Sequence, residues 1–408
     1  MRKRTFRIIM SLAILLLVIL SGMLAYSYFN VERAVSRSYQ KSGLKAAENG
    51  SKEEVLKGKK PLVVLLMGTD TGALGRDYKG RTDSIMVLVL NPRTKKSTIV
   101  SIERDFQVNF PQYPQYSPSK INAAYTYGGV KLLSQTLDRY FKIPVNTYAL
   151  INMGGMKSII DQLGGVDITP LLSFDYEGYS YKKGVTTHMN GDKALEYCRM
   201  RYDDPEGDYG RQKRQREVIT KLVQKLATAD SLTNFSKIAN NLSSNVKTNL
   251  SFQALKSILA NYSDCTSSSD SDYLHGYSAY VNDAAYQIAP TSELQRISNK
   301  IRKLLGLKTA TVSNRETELN TLNETAGFKF GSGEAQNYTI YDPGTTADSV
   351  KSGKKSSKSS SSAKSSSQTS SSTDYSGNTA YSGSTNYDTT YSYSYNYNYN
   401  TNPFSGGY

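Results

Sequence analysis

Apolar residues are spread very unevenly along this chain of 408 residues. The first concentration is an uncharged run from Ile8 to Phe29, preceded by Arg2, Lys3, Arg4 and Arg7. A bilayer-crossing helix needs roughly 20 apolar residues, and flanking basic residues favour the cytoplasmic side. The pattern therefore predicts a cytoplasmic stub at 1–7, a membrane anchor at 8–29 and a body outside the cell. A cleaved signal peptide shares the charged start and the Leu/Ile-rich centre, but the run is long and Met23-Leu24-Ala25 is a poor small-residue cleavage site. Residues 30–60 are charged and polar with a weak helical pattern, as expected of a stalk.

The core begins abruptly after the stalk. "PLVVLLMG" (Pro61 to Gly68), "SIMVLVLN" (Ser84 to Asn91) and "STIVSI" (Ser97 to Ile102) are short apolar runs bounded by turn residues, which predicts three strands. The "NPRTKK" stretch joins the last two as a hairpin, so this part of the sheet is predicted to be antiparallel. Helical spacing follows at Gly128 to Lys142 and Gly154 to Gly165, with the strand-like "TYALIN" between them and "VDIT" after. Further helices are predicted at Asp192 to Arg201, Arg211 to Ala229, Phe252 to Tyr262 and Glu293 to Leu305. This alternation gives an α/β layer arrangement: a twisted, mixed but largely antiparallel sheet flanked by helices. Beyond Val312 the pattern fades. From Gly344 the chain is almost wholly Ser, Lys, Tyr, Asn, Thr and Gly, too poor in aliphatic residues to offset the entropy of ordering. The expected organisation is thus a principal domain at 61–306, an unpatterned linker at 307–343 and a disordered tail at 344–408, whose tyrosines could bind glycan or serve as a spacer.

Charge narrows the class of partner. Fifty Lys+Arg against 35 Asp+Glu give a formal net charge of +15, which suits an acidic ligand. An outward location turns that preference from nucleic acid to phosphate-rich lipids and wall polymers. Only Cys198 and Cys265 are present, so there is no disulfide framework; a bridge between them and two free thiols are both open. His188 and His275 stand beside no Ser or Cys nucleophile motif, and "GTDTGALG" lacks the Lys-Ser/Thr ending of a nucleotide-binding loop. Serine hydrolysis and nucleotide hydrolysis are unsupported.

The candidate chemistry gathers at strand ends. Asp70 follows the first strand and Asp83 precedes the second, so antiparallel pairing would bring the two carboxylates together. Such a pair without Cys or His suits a hard cation, Mg²⁺ or Mn²⁺, which takes one or two carboxylates and completes its shell with water and phosphate. Arg104 and Asp105 end the third strand, and Lys120 and Asn122 follow. Arg199, Arg201, Arg211, Arg214 and Arg216 then crowd into eighteen residues. Arg199 and Arg201 straddle Met200, a spacing that fits one side of an extended segment better than a helix face, so the helix should end near Cys198. Guanidinium forks match phosphate oxygens bidentately, although a solvated basic surface would look the same, and Asp208 could simply orient these arginines.

The ordered motifs "LLMGTD", "GRTDSIMVLVLNPRTKKSTIVSIERD", "KINAAYTYGG", "IIDQLGGVDI", "MNGDKALEYCRMR" and "GDYGRQKRQREVI" resemble those of LytR-CpsA-Psr proteins over roughly Pro61 to Leu305. The resemblance implies a sheet flanked by helices, with an apolar cavity for a polyprenyl tail and a polar mouth for its pyrophosphate. It also implies that Asp70 and Asp83 hold magnesium, that Arg81 shares the mouth, and that Arg104, Arg199, Arg201, Arg211, Arg214 and Gln215 hold the pyrophosphate. Two positions depart from the family pattern: Glu103 stands where Pro is usual, and Arg216 where a second Gln is usual.

The reaction implied is phosphoryl transfer from a polyprenyl-pyrophosphate-linked glycopolymer, such as wall teichoic acid or capsular polysaccharide, to a peptidoglycan hydroxyl at the outer face of the membrane. Asp105 is a candidate for the hydroxyl's proton, or for orienting Arg104 or Lys120. Two other readings compete: a non-catalytic wall-polymer binder, and a membrane-bound transcriptional regulator, which would need a nucleic-acid-binding part ahead of the anchor.

Overall fold

Eight residues, LVVLLMGT, make β1 (Leu62–Thr69) because nearly every position can be buried on one face of a sheet or the other. The structure, a computed structural model, describes residues 33, 36–42, 44, 60–69, 80–228 and 245–353. The anchor and stub, most of the stalk, Asp70 and the tail beyond 353 lie outside the described residues. No helix among those described is long and apolar enough to cross a membrane.

β1 pairs antiparallel with β2 (Ser84–Asn91), from Leu62 opposite Leu90 to Gly68 opposite Ser84. β2 turns into β3 (Lys96–Ile102) through the predicted hairpin. The Asn91 side chain shapes that turn, its Oδ1 accepting the N–H groups of Arg93 at 3.0 Å and Thr94 at 3.3 Å, while Lys95 takes φ +53°. Parallel strands flank this meander: β4 (Thr147–Asn152) beside β1 and β6 (Ser269–Tyr273) beside β3, with β5 (Val246–Thr248) antiparallel on the outer edge of β4. The six-stranded order is β5-β4-β1-β2-β3-β6, the mixed sheet that the alternating pattern predicts.

Helices cover both faces, which is why the strands read as continuous apolar runs rather than alternating ones. Val63, Leu65, Met67, Val87, Val100 and Ile102 face α1 (Ala124–Phe141) and α6 (Thr291–Leu305). Leu62, Val64, Met86, Leu88 and Ile99 point the other way, toward Ile219 and Val223 of α4 (Asp208–Leu226) and Ile258 and Tyr262 of α5 (Phe252–Tyr262). A further core joins α2 (Met153–Gln162), α3 (Gly191–Arg199) and α4. Cys198 and Cys265 are free, buried and in different clusters.

The segment after Leu305 carries more structure than its pattern predicts. A hairpin of β7 (Tyr277–Val281) and β8 (Ala284–Ile288), turned by Asn282 and Asp283 at φ +49° and +63°, packs with Leu319 of α7 (Arg315–Thr325) and with Phe328 and Tyr338. Hydropathy misses α7 because Glu316, Asn320 and Asn323 share its buried face with Leu319 and Leu322. Asn320 donates to the Ala289 carbonyl and Asn323 to the Thr339 carbonyl, each at 2.9 Å, so these two amides are buried with their donors satisfied. Asn314 caps the helix in a reciprocal box with Thr317, a start signal that was present in the sequence.

Candidate functional site

The ends of β1, β2 and β3 meet at one edge of the sheet because an antiparallel meander returns every second end to the same side. The Asp83 N–H bonds the Gly68 carbonyl at 2.9 Å, fixing the start of β2 beside the end of β1. Just past β3, Arg104 reaches back to Asp83, its Nη1 3.1 Å from Oδ1. Its Nε lies 3.7 Å from Asp105 and its Nη2 3.9 Å from Asp208. Lys120 holds Asp105 at 3.0 Å. From the other side the first turn of α4 brings Asp208, Arg211 and Gln212 onto one face, as i, i+3 and i+4 spacing requires. Arg211 Nη2 is 2.7 Å from Asp208, and Gln212 donates both to Asp208 Oδ2 at 3.1 Å and to the Glu103 carboxylate. A narrow crevice, partly open to solvent, lies between Asp83, Ser84, Ser101, Arg104, Asp208 and Gln212.

Charge in this cleft is tightly interlocked. Burial alone would raise Asp208, but Arg211 and Arg104, with Gln212 and Arg201, outweigh it and hold the carboxyl below its ordinary range. Burial pushes Glu103 up to about 7, reinforced by Asp208 and Asp105, against the opposing Asp105 N–H and Arg104. Arg104 is desolvated, yet four carboxylates (Asp208, Asp105, Asp83 and Glu103) raise its pKa above the ordinary value. Arg104 Nε, Arg211 Nε and the Gln212 and Gln215 side-chain oxygens are buried without a hydrogen-bond partner in the protein. Buried guanidinium donors without a hydrogen bond, next to a charged crevice, would gain from turning onto an oxyanion.

The other predicted residues are placed differently. Arg201 stacks 4.6 Å over the Tyr202 ring and still contributes to the field at Asp208. Arg199 is exposed and turned to Glu196 one turn back, at 2.8 Å. Helix α3 does end at Arg199, with Met200 extended at ψ 135°, so the two arginines diverge around a buried Met200. Arg214 is not at the cleft mouth. It is 2% exposed, donates from Nε to the Tyr197 carbonyl at 2.9 Å, and bonds the Asp204 carboxylate and the Met200 carbonyl. A Cβ at Gly210 would collide with that Asp204 carboxylate, so glycine lets the clamp close. The expectation that Arg214 holds pyrophosphate is corrected accordingly: its donors are spent on backbone and Asp204. Arg81 is exposed and acts on Tyr286, and Asp70 lies outside the described residues.

Arg216, where the family pattern has Gln, is buried and bonds Ser271 Oγ and Ser101 Oγ, each at 2.9 Å; burial pushes its pKa down to about 10. His188 pairs with Asp167 at the surface at 2.7 Å. Gln212 was not singled out by sequence and Asp208 only as an orienting group, although the i, i+3, i+4 spacing of Asp208, Arg211 and Gln212 after Gly207 was a usable signal.

Comparison with known proteins gives a consistent result. The LytR_cpsA_psr family profile matches residues 25–303. The chain is 37% identical over 307 residues to the polyisoprenyl-teichoic acid–peptidoglycan teichoic acid transferase TagU of Enterococcus faecalis, covering 75% of this chain and 99% of that protein. The crystal structure of B. subtilis TagU superposes with a TM-score of 0.51 at 33% identity, covering 62% of this chain and all (100%) of the other. A structure of TagT bound to LIIa-WTA superposes at 0.52 with 27% identity, over 62% of this chain and 93% of that one.

Proposed function

Because the chain belongs to the LytR-CpsA-Psr family, we propose that it is a phosphotransferase moving an anionic glycopolymer, wall teichoic acid first among them, from a polyprenyl-pyrophosphate carrier to peptidoglycan. The observation that carries this reading is the convergence of Arg104 and Arg211 on Asp208 at the sheet edge beside Asp83 and Asp105, each arginine keeping an Nε without a hydrogen bond.

In this reading Arg104 and Arg211 bind the pyrophosphate, with Arg201, Arg199 and Gln215 along the rim and Lys120 and Arg81 toward the acceptor. The acceptor hydroxyl attacks the sugar-side phosphorus, a new P–O bond forms, the bridging P–O bond breaks and polyprenyl phosphate leaves. Asp105, fixed by Lys120, takes the hydroxyl's proton. Catalysis of such a step rests on placing charge where the transferring and leaving oxygens develop it. The carrier's apolar tail runs along the sheet face formed by Val64, Leu66 and Leu88, against Ile219, Val223 and Ile258, several of which are only partly buried.

Asp83 could offer one carboxylate to magnesium: its side chain is 35% exposed, although its Oδ1 now pairs with Arg104. Among the described residues no group of three or more acidic, His or Cys side chains could hold a metal, so an ion here would need Asp70, water and phosphate as further ligands. Bound there, Mg²⁺ would act as a Lewis acid on phosphate oxygens. The anchor at 8–29 would put the domain outside the membrane, where carrier and acceptor meet.

The test uses the full-length protein with a polyprenyl-pyrophosphate-linked teichoic acid precursor and soluble wall fragments. Polyprenyl phosphate and a phosphodiester-linked conjugate should appear together, and both should fall on chelation or in Asp83→Ala. Donor binding without release would leave a polymer binder instead.

A further inference from the structure

The loop "NFPQYPQYSP" (Asn109 to Pro118) carries aromatic residues that the reaction above does not use. In the structure they form a ladder. The Tyr116 and Tyr127 rings stack 4.1 Å apart at 7°, Tyr113 lies 6.3 Å from Tyr116 at 28°, and Phe110 meets Tyr127 edge-on at 6.1 Å. Phe110 is fully buried, while Tyr116 remains 42% exposed. The inner rung is thus core and the outer rung is surface.

The ladder is continuous with the charged edge of the sheet. Tyr286 donates to the Pro118 carbonyl at 3.4 Å, and Lys120 sits 5.7 Å over the Tyr286 ring while pairing with Asp105 at 3.0 Å. A strip therefore runs from Arg104 and Asp105 through Lys120 and Tyr286 to Tyr127 and Tyr116. It lies on the sheet face covered by α1, because Tyr127 belongs to α1 and, with Tyr113, packs against the cluster that α1 forms with that face. The apolar face assigned to the carrier's tail is the opposite one.

That opposition decides what the strip would hold, given the transfer reaction proposed above. Attacking and leaving oxygens lie roughly in line across the phosphorus. With the leaving polyprenyl phosphate on the α4–α5 face, the attacking sugar approaches from the α1 face. Tyrosine suits such a ligand, since its ring offers a negatively polarised face and its hydroxyl a hydrogen-bonding edge. Rings already stacked on one another lose little freedom on binding. From these observations we infer that the Tyr116–Tyr127 ladder, with Tyr286, is the subsite for the acceptor glycan strand, holding a neutral N-acetylated saccharide beside the transferred phosphate.

The experiment compares full-length wild type with Tyr116→Ala, Tyr116→Phe and Tyr280→Ala, the last altering an equally exposed tyrosine elsewhere (42%). Affinity for chitotetraose is measured by NMR titration, and KM is measured separately for wall-fragment acceptor and lipid donor. Loss of one aromatic contact should weaken chitotetraose binding and raise the acceptor KM by about 3- to 10-fold. The donor KM should stay constant, Tyr116→Phe, which keeps the ring and loses the hydroxyl, should fall between wild type and Tyr116→Ala, and Tyr280→Ala should match wild type throughout. Equal chitotetraose affinity in wild type and Tyr116→Ala, no binding to wild type, or a shift confined to the donor KM would overturn the subsite. Tyr116-dependent chitotetraose binding by a protein that transfers nothing would sink the transferase reading and leave the subsite standing.

Discussion

Helix α4 carries arginines of two kinds within six residues, and the contrast between them separates chemistry from architecture. Arg211, in the first turn, pairs with Asp208, which lines the crevice with Arg104, and keeps a buried Nε without a hydrogen bond. Arg214, nearly one turn on, has its three nitrogens bonded to Tyr197, Asp204 and Met200 and its guanidinium 5.3 Å over Phe174. The residue type is the same and the sequence positions are neighbours. What differs is whether the donors are already satisfied: an arginine with nothing left to offer holds structure, whereas one with a donor still unbonded beside the charged crevice can turn to a ligand.

The largest effect should come from breaking the clamp. Arg214→Ala leaves Asp204 buried and unpaired beside two orphaned carbonyls, a loss of about 3–5 kcal/mol, read as a fall in chemical-denaturation midpoint. A loss below about 1 kcal/mol would show that the clamp is not structural.

Arg104→Ala should do the reverse. Transfer should slow by about 10²–10³-fold, as removal of a charge-stabilising donor does, while the melting temperature moves far less than in Arg214→Ala. Arg104→Lys should recover only part of the rate because one ammonium cannot fork across two oxygens. Full recovery would mean that charge alone is required.

Glu103 gives a pH signature to the same cleft. Its carboxyl is held at about 7 in the fold against an ordinary 4.5, so the folded protein binds this proton more tightly than the unfolded chain. Its stabilising contribution is fully present below about pH 4.5 and lost as pH rises through about 7. In Glu103→Gln that decline should flatten by on the order of 1–3 kcal/mol. Identical stability–pH curves for the two proteins, measured by denaturation between pH 4.5 and 8, would remove Glu103 from the titrating set.

Smallest is the difference between the two rim arginines. Arg201 contributes to the field at Asp208, whereas Arg199 is engaged with Glu196. Arg201→Ala should raise the donor KM roughly fivefold, about 1 kcal/mol, and Arg199→Ala should raise it less. The opposite order would mean that Arg199 swings from Glu196 onto the donor.

Much of this was legible in the sequence, for identifiable reasons. Strands buried on both faces announce themselves as unbroken apolar runs, so β1, β2 and β3 and their hairpin were clear, and the meander then required Asp83 and Arg104 to meet. The helix stop between Arg199 and Arg201 was readable from their spacing about Met200. Arg214 was misassigned because motif and composition count guanidinium groups without showing which have backbone partners. Helix α7 was missed because Asn320 and Asn323 bury amides satisfied by the distant carbonyls of Ala289 and Thr339, information that no local window contains. The tyrosines of the 109–118 loop carry no periodic signal in the sequence; only the fold sets Tyr116 against Tyr127.

The central claim is tested most directly by following one labelled phosphorus. Full-length wild type, Arg104→Ala and Arg214→Lys are incubated with a precursor labelled at the sugar-side phosphate, together with soluble wall fragments and Mg²⁺. In wild type the label should pass into a phosphodiester with the wall sugar, in amounts equal to the unlabelled polyprenyl phosphate released. Arg104→Ala should stay folded with transfer nearly abolished, and whatever fraction of Arg214→Lys remains folded should transfer at close to the wild-type rate. Label leaving with the polyprenyl phosphate, or transfer by Arg104→Ala at the wild-type rate, would contradict the account.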